Sequence, residues 1–397
     1  MACSDNDSNI NPDKSAVKII GLNPQRAKIN DTLTIKGINL NKISRVSFNG
    51  KYVEKFIYQD SGLIKVIIPV LNYEKVKVKI LYEEYKYEGL VLKDSDEARM
   101  ELFGVFPIIY DFDYNDINHI QILNDSTYFI SAGRYLYKSL NGGYDWQFLH
   151  QFQELFAFYF FSTQEGWLSV IDDIGHNVIL YTSDMVNFES KFDLGSIPQG
   201  DEIFKIEFSD SKNGYFISRE GQIFKIDDKD ISLLYTYPDP DNATFVDLTV
   251  LDSNHLWASG NCGYYGNIPT IIKIEDNQFS LMEFDPGYLS KIQFLDNNLG
   301  FLILNGKLLK SIDSGLNWIN TDVDMFNFYF WNNQNGLCIE KKQSCNCDIF
   351  RITSDGGKSW TYNLTSGNYE NTLFIKIKNG IGLIGGYRDR IWKYIQE

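Results

Sequence analysis

Residues 353–360, TSDGGKSW, decide the fold of this chain, because related stretches recur upstream. These are SLNGGYDW at 139–146, SIDSGLNW at 311–318 and a shortened TSDMVNF at 182–188. A motif that recurs at intervals of tens of residues indicates a repeat architecture, in which each repeat is one supersecondary unit stacked on its neighbours. We therefore expect most of the chain to consist of copies of one small unit.

Each copy places a tight turn between an apolar run and a large aromatic residue. An Asp or Asn side chain accepts hydrogen bonds from backbone N–H groups further round its own turn, and glycine supplies the positive φ that the turn needs. The aromatic side chain then points back between sheets. We expect a structural role for Asn141, Trp146, Asp184, Asp313, Trp318, Asp355 and Trp360.

This motif resembles the Asp-box, or BNR repeat, of sialidases, sortilin-type receptors and propellers of the photosystem II assembly-factor type. In those families the box lies on the rim of a propeller blade and is a folding element, away from the active site. The resemblance implies a β-propeller for most of the chain. It does not indicate what the propeller binds.

The composition indicates an all-β protein of two unequal domains. The chain has 397 residues, 15% of them aromatic and only nine of them proline. Long helical periodicity is hard to find, whereas short runs of Ile, Val, Phe and Tyr recur throughout. The net charge of −15 argues against nucleic acid as a partner. No run approaches the roughly 18 apolar residues that a membrane-spanning helix needs.

Residues 1–16 are polar and aperiodic, which predicts a disordered tether. Cys3, followed by serine and acidic residues, resembles the mature end of a bacterial lipoprotein and the surface-export signal of Bacteroidetes lipoproteins. The resemblance implies a lipid on Cys3 and an exposed position on the outer membrane, with membrane contact through that lipid only. No apolar segment precedes Cys3, so we expect that a signal peptide has been removed. The alternative is a cytosolic N-terminus with a chance cysteine.

Residues 17–93 are predicted to form a separate unit of short strands. Its runs are VKII (17–20), TLTIKGINL (32–40), VSFNG (46–50), IKVIIP (64–69) and the strictly alternating VKVKI (76–80). Their order resembles the IPT/TIG domain, an immunoglobulin-like sandwich that serves as a spacer or protein-contact module. A short acidic joint at 94–97 predicts the boundary with a propeller at 94–397.

A second signature repeats within residues 94–397: an apolar strand ends in Phe, and Gly follows six residues later. The pairs are Phe160 with Gly166, Phe208 with Gly214, Phe294 with Gly300 and Phe330 with Gly336, and Ile122 with Tyr128 and Val250 with Leu256 hold the same places. These repeats predict seven four-stranded blades that start near residues 117, 155, 203, 245, 289, 326 and 373. The last blade lacks a strand, and we expect one near residues 99–106 to complete it and close the ring.

No catalytic constellation stands out in the sequence. Residues 350–352, FRI, are similar to part of the sialidase F-R-I-P motif, but Thr353 stands in place of proline and arginines are scarce. A glycosidase needs two carboxylates beside the scissile bond, and 52 acidic residues do not single out a pair. The four histidines are scattered, so we expect no histidine metal site, and we expect no cofactor.

Three cysteines, Cys338, Cys345 and Cys347, fall within the sixth repeat on strands expected to be neighbours. They are open to three interpretations: a disulfide from Cys338 to Cys345 or Cys347, free thiols, or a metal site. In an exported protein the disulfide is the more natural interpretation. We take Cys338–Cys347 as the predicted bridge.

Aromatic and arginine residues outside the boxes provide the candidate ligand-binding positions. Tyr264 and Tyr265 lie on a glycine-flanked loop, where they could stack on sugar, seat a peptide or simply cover the next blade. Trp331 follows a first strand and could face a groove or fill the rim. Arg388 and Arg390, between strands of the last blade, could form a binding patch or a solvated hairpin.

The sequence therefore predicts a non-enzymatic, lipid-anchored envelope protein whose propeller binds another protein of an outer-membrane complex. The first alternative is a surface glycan-binding lipoprotein that uses Tyr264 and Tyr265. The second is a glycoside hydrolase of the sialidase type.

Overall fold

This computed structural model describes residues 17–397 except 87–88, 96, 109, 111, 113–114, 194–202, 219, 229, 240–241, 264–266, 343, 345–346, 366–371, 387–390 and 397. The described chain is all-β, and its one helical element is a 3₁₀ turn at Leu40–Lys42. No helix among these residues is long and apolar enough to cross a membrane. The chain divides into two compact units, one that ends at Pro107 and one that spans Ile108–Gln396.

The two sheets of the first unit comprise ten strands among its described residues. One sheet has the order β1-β3-β7-β6, with β1 (Lys18–Asn23), β3 (Thr32–Ile38), β6 (Tyr58–Gln59) and β7 (Leu63–Ile67). The other has the order β2-β10-β8-β4-β5, with β9 also paired to β8; its strands are β2 (Arg26–Ala27), β4 (Ile43–Phe48), β5 (Lys51–Val53), β8 (Lys75–Lys86), β9 (Gly89–Asp94) and β10 (Ala98–Leu102). Strand alternation builds its core, since Val76, Val78 and Ile80 of β8 are all buried.

From Gly104 onward the described residues form seven four-stranded sheets. Six of them run in chain order: β12–β15 (Ile117–Ile122, Tyr128–Ala132, Tyr135–Ser139, Gln147–Gln151); β16–β19 (Glu154–Phe160, Gly166–Ile171, Asn177–Thr182, Glu189–Asp193); β20–β23 (Ile203–Phe208, Asn213–Ser218, Gln222–Asp227, Asp230–Thr236); β24–β27 (Thr244–Val250, His255–Cys262, Ile268–Glu275, Gln278–Glu283); β28–β31 (Leu289–Phe294, Gly300–Leu304, Lys307–Ser311, Ile319–Asp324); and β32–β35 (Asn327–Phe330, Gly336–Lys342, Cys347–Thr353, Thr361–Thr365).

The seventh sheet combines strands from distant parts of the chain. Its order is β11-β38-β37-β36, with β11 (Gly104–Ile108), β36 (Thr372–Lys378), β37 (Ile381–Gly386) and β38 (Ile391–Ile395). The strand predicted at 99–106 is thus two strands. Ala98–Leu102 pairs with β8 and β2. The next strand begins at Gly104, whose φ of 83° lies in the left-handed region. Met100 and Leu102 are buried in the first unit, which therefore extends beyond the predicted joint at 94–97.

The first strand of each sheet contacts the first strand of the next sheet. These contacts run from β12 through β16, β20, β24, β28 and β32 to β36, and β36 contacts β12. The first strands begin at residues 117, 154, 203, 244, 289, 327 and 372, close to the starts expected from the repeats. They are the innermost strands of the seven sheets.

The repeated Phe and Gly face each other across the first hairpin of a sheet. Phe160 is the register partner of Gly166, and Phe294 is that of Gly300. A Cβ atom on Gly300 would lie 2.6 Å from the Phe294 ring, so only glycine leaves room for that ring. Each ring meets an aromatic side chain of the preceding sheet: Phe301 stacks on Phe330 at 3.9 Å between ring centroids. The aromatic wedge between neighbouring sheets is therefore encoded in the repeat.

Candidate binding site in the channel between the sheets

All seven innermost strands, or the residues just before them, line one cavity of about 660 Å³. This volume lies within the roughly 300–1,000 Å³ that ligand sites usually occupy. The lining comprises Asn118, His119, Ile120, Leu155, Phe156, Lys205, Thr244, Val246, Asp247, Tyr288, Ser290, Lys291, Phe326, Asn327, Phe374, Ile375 and Lys376. We call this space the channel cavity. It lies where the innermost strands begin.

A recurrent irregularity of the backbone shapes the cavity wall. In six of the seven sheets the pairing of the first two strands shifts by one residue near the start of the first strand, as between Leu289 and Lys291. The extra residue of such a bulge changes the direction of the side chains around it. Asn118, Phe156, Val246 and Ser290 are extra residues of this kind, and all four line the cavity.

Ion pairs join different sheets around the channel cavity. The Lys205 ammonium is in contact with Asp247 Oδ1 and lies 3.6 Å from Glu207 Oε1. The Lys376 ammonium lies 3.3 Å from Glu207 Oε1, although these two residues are 169 positions apart in the chain. Asp247 Oδ2 also accepts a hydrogen bond from the backbone N–H of Ile292 at 3.0 Å. Both oxygens of Asp247 and Oε1 of Glu207 therefore have partners in the protein.

Burial and neighbouring ammonium groups act in opposite directions on these carboxylates. Burial disfavours the charged form of Asp247, but Lys205 and Lys291 hold its pKa below the ordinary value. Burial acts likewise on Glu207, and Lys376 and Lys205 again bring its pKa below the ordinary value. Both groups are consequently ionised at neutral pH.

Lys291 differs from the other two lysines of the cavity. No carboxylate of the described residues lies within ion-pair distance of its ammonium, which instead sits 5.6 Å from the centre of the Phe328 ring. Burial lowers the pKa of Lys291 to about 7, and the attraction of Asp247 offsets that effect only in part. Lys291 is thus a cavity-lining amine that changes its charge near neutral pH.

Three further titratable groups near the cavity, His119, Tyr159 and Tyr329, are uncharged at neutral pH. Burial, followed by the positive charge of Lys376, lowers the pKa of His119 to about 3, and its ring packs edge-on against Phe158 at 4.5 Å. Burial, followed by the charge of Glu207, raises the pKa values of Tyr159 and Tyr329 to about 12. Within the described residues, no group of three or more His, Cys, Asp or Glu side chains is arranged to hold a metal ion.

A second concavity, of about 910 Å³, lies on the first unit and is lined in part by Arg26, Lys77, Arg99 and Glu101. Its charged side chains are mutually paired: Arg26 with Glu101 at 3.7 Å, and both Lys77 and Arg99 with Glu97 at 3.3 and 3.1 Å. These pairs are largely solvent-exposed. We favour the channel cavity as the binding site because it combines enclosure with an ammonium that no described carboxylate neutralises.

The four box motifs lie at the opposite edge of the sheets, where third strands end. In the last box, Thr353 Oγ1 accepts a hydrogen bond from Gly357 N–H at 3.0 Å, and Asp355 Oδ1 accepts one from Ser359 N–H at 2.9 Å. Asp313 and Asn141 accept the equivalent bonds from Asn317 and Asp145, each at 2.9 Å, and Asp184 accepts one from Asn187 at 2.8 Å. Trp318 and Trp360 pack edge-on against Phe294 and Phe330, and Trp146 packs likewise against Phe112.

The predicted ligand-binding residues fall mostly outside the described part of the chain. Tyr264, Tyr265, Arg388 and Arg390 are among the residues not described, as is Cys3. β25 ends at Cys262, before the two tyrosines in the chain, and β26 begins at Ile268. Trp331 lies at the other edge, where its indole N–H donates to Gln396 at 3.2 Å and its ring contacts Tyr394.

The predicted Cys338–Cys347 bridge is wrong. Cys338 is a free, buried thiol opposite Arg351, whereas Cys347 is opposite Lys342, four residues further along β33. Four residues of a strand span roughly 13 Å, beyond the roughly 7 Å between Cα atoms that a disulfide tolerates. Cys347 does form a disulfide, with a partner outside the described residues. The two cysteines belong to neighbouring strands, as predicted, but not to the same rung.

Sequence reasoning missed the charged residues of the cavity altogether. Lys205, Asp247 and Lys291 each follow the bulge of an innermost strand, and Lys376 lies two residues past the equivalent position. A charged residue inside an otherwise apolar first strand, repeated at the same place in several repeats, was a detectable signal. An alignment of the seven repeats to one another would have revealed it.

Comparison with solved structures identifies the fold of the larger unit as a β-propeller. YCF48 bound to a D1 peptide has a TM-score of 0.58 at 14% identity, with 74% of this chain and 97% of that chain covered. The WD40 propeller of Doa1 has a TM-score of 0.57 at 10% identity over 74% and 97%. The GH74 xyloglucanase from Xanthomonas campestris has a TM-score of 0.55 at 11% identity over 73% and 53%.

Identities this low establish the fold alone. No family model matches the chain, and no curated protein matches it. The propellers to which it is similar include a peptide-bound protein and a glycoside hydrolase. The fold is thus compatible with both classes of function.

Proposed function

We propose that this protein is a non-enzymatic binding module whose propeller engages a segment of another protein at the channel cavity. The observation that carries this proposal is the cavity itself, which is walled by all seven innermost strands and contains a lysine without a described carboxylate partner. Tyr288 and Phe326 stand just before two of those strands and are 57% and 38% exposed. Exposed aromatic residues beside a charged anchor are the usual ingredients of a protein-binding hot spot.

In the same proposal the larger unit is a closed seven-bladed ring. The sequential contacts of the innermost strands, together with the strand from residues 104–108 in the last sheet, support this arrangement. The first unit would be an IPT/TIG sandwich, which its two sheets support. Cys3 would carry a lipid that holds the protein on the outer membrane, facing the exterior, where its partner belongs to an envelope complex.

The chemistry of the cavity supports binding over hydrolysis. A glycosidase needs one carboxyl group that stays protonated as the general acid. Asp247 and Glu207, the carboxylates nearest the cavity among the described residues, are both held ionised by lysines. A glycan-binding protein is the alternative, favoured by the paired Tyr264 and Tyr265 between two glycines in the sequence.

The test is affinity purification of the tagged full-length protein from the native membrane after mild cross-linking. We expect a defined partner with the unmodified protein and its loss from the double variant Tyr288→Asp/Phe326→Asp. The matched control is Leu316→Asp, because Leu316 is 68% exposed and lies in a box at the opposite sheet edge. A partner retained by the double variant would contradict the assignment to the cavity. Turnover of an aryl glycoside that ceases when one carboxylate is mutated would favour the hydrolase.

A further inference from the structure

The charges around the channel cavity do not cancel. Three ammonium groups, those of Lys205, Lys291 and Lys376, lie at the cavity, and two carboxylates, Asp247 and Glu207, neutralise Lys205 and Lys376. His119 is neutral and adds no charge to the cavity. When Lys291 is protonated, the described groups around the cavity therefore carry one net positive charge inside a protein whose overall charge is −15.

We propose that Lys291 is the docking point for one carboxylate of an extended peptide segment that enters the channel cavity. This inference rests on the proposed function and specifies the chemistry that the partner presents there. The carboxylate can belong to an Asp or Glu side chain or to a chain terminus. Its charge-assisted hydrogen bond with the Lys291 ammonium would be short and strong, because the cavity shields it from bulk water.

A single carboxylate fits better than a phosphate group. A monoanion balances the one unneutralised ammonium, whereas a phosphate dianion would bring a second negative charge towards Asp247 and Glu207. Both carboxylates remain ionised at neutral pH and would repel it. The cluster thus selects against highly charged anions while accepting a singly charged one.

The cavity that contains Lys291 also offers apolar surface to a peptide. Val246, Phe156, Phe326 and Phe374 contribute this surface to its lining. Such surface suits aliphatic or aromatic side chains on either side of the carboxylate. The cavity is also lined by polar side chains, such as those of Asn118, Thr244 and Asn327, so the experiment below compares the peptide with an acidic sugar directly.

Calorimetric titration of the full-length protein at about pH 6.5 tests the inference with defined probes. The probes are acetyl-Leu-Ala-Phe-Ala with a free carboxylate, the same peptide as its amide, acetyl-Leu-Asp-Phe-Ala amide, glucuronate and inorganic phosphate. We expect both carboxylate peptides to bind at least about tenfold more tightly than the neutral amide, as befits a hydrogen bond to a charged group. Comparison of the two also distinguishes a chain terminus from an acidic side chain.

The variant Lys291→Met should abolish the difference between the carboxylate peptides and the amide, since it keeps the length of the side chain without its charge. Lys358→Met is the matched control, because Lys358 is exposed in a box at the opposite sheet edge, and it should leave the difference intact. Three results would each overturn the inference. They are equal affinity for the amide and the carboxylate peptides, a higher affinity for glucuronate or phosphate than for the carboxylate peptides, and an unchanged preference for carboxylate peptides in Lys291→Met.

A second measurement covers the case in which none of the peptides binds measurably. The pKa of the Lys291 amine, followed by NMR of labelled lysine, should rise from about 7 when chloride is replaced by acetate, because a bound anion favours the protonated amine. An unchanged pKa would exclude a carboxylate site there. If the partner still depends on Tyr288 and Phe326 while this test fails, the proposed function stands and only the carboxylate inference is lost.

Discussion

The two edges of the propeller sheets satisfy their polar groups in opposite ways. At the box edge each acceptor is served by its own turn, as when Asp355 takes the N–H of Ser359 four residues away. At the channel edge the partners come from different sheets, as when Lys376 of the seventh sheet meets Glu207 of the third. Local pairing thus supplies the turn acceptors of the box edge from within each turn, although the indole N–H groups of Trp146, Trp318 and Trp360 are buried without a hydrogen-bond partner among the described residues. At the channel edge, no carboxylate of the residues that the structure describes forms an ion pair with Lys291.

This contrast separates a folding element from a binding element. A turn that saturates its own acceptors has no hydrogen-bonding capacity left for a ligand. A cluster assembled from several sheets is enclosed and carries net charge, and both properties suit recognition. The expected effects of mutation differ accordingly between the two edges.

The largest effect on stability is expected at Asp247, because removal of its carboxylate leaves a buried cation without its ion-pair partner. Asp247→Ala leaves the Lys205 ammonium without its nearest carboxylate and the Ile292 N–H without its acceptor. We expect a loss of about 3–5 kcal/mol in the free energy of unfolding, measured by urea denaturation. Asp173→Ala, at an exposed turn, should change stability by less than about 0.5 kcal/mol. Similar values for the two variants would show that the channel cluster contributes little to folding.

A smaller loss is expected where glycine makes room for an aromatic wedge. In Gly300→Ala the new methyl group would lie 2.6 Å from the Phe294 ring, and the strain should lower stability by about 1–3 kcal/mol. Thermal unfolding of the single variants and of the double variant Gly300→Ala/Phe294→Leu measures the coupling. The double variant should be more stable than the sum of the single losses predicts. Simple additivity would mean that the ring and the glycine do not compete for space.

A still smaller effect, with a distinctive pH dependence, is expected at the box edge. Hydrogen bonds from the side chain and backbone of Ser359 lower the pKa of Asp355 to about 2 from an ordinary value of 3.8. A depressed carboxyl pKa stabilises the fold above the unfolded-state pKa, and that contribution disappears as the pH falls through the folded-state pKa. Asp355→Ala should therefore be destabilising at neutral pH, with a difference that shrinks between about pH 4 and pH 2.

Asp355→Asn refines the same comparison, because the first box carries Asn141 at this position and still accepts the turn N–H. This variant should destabilise less than Asp355→Ala at neutral pH. Unfolding curves across the acid range measure both. An Asn variant as unstable as the Ala variant would show that the negative charge, rather than the turn geometry, stabilises the box.

A pH-dependent effect on stability is expected at Lys291, the residue that matters most for binding in our proposal. Its pKa is lowered to about 7 from 10.5, so between about pH 7 and pH 10 the unfolded chain binds more protons than the folded one. Stability should then rise with pH over that window. The melting temperature of the unmodified protein should rise relative to Lys291→Met as the pH is raised. A constant difference would show that Lys291 titrates normally.

The sequence predicted the repeats well because their determinants are local. The Phe–Gly pairs proved to be register partners across the first hairpin, and the expected repeat starts lie within one residue of the observed strands. The strand expected near residues 99–106 does complete the seventh sheet, but it spans Gly104–Ile108, because burial of Met100 in one unit and a left-handed Gly104 are not visible in an alternating run. The Cys338–Cys347 bridge was wrong for a similar reason. Which residues of β33 and β34 face each other depends on where the hairpin between these two strands turns.

What the sequence determined by itself is the set of features whose partners lie within a few residues: the box turns, the hairpin register and the aromatic wedge of each repeat. What only the tertiary structure decided is which distant residues meet at the channel, because Lys205, Asp247, Glu207 and Lys376 belong to three different sheets. The physical reason is range. A hydrogen bond inside a turn is specified by adjacent residues, whereas an ion pair across the channel exists only once the sheets have come together.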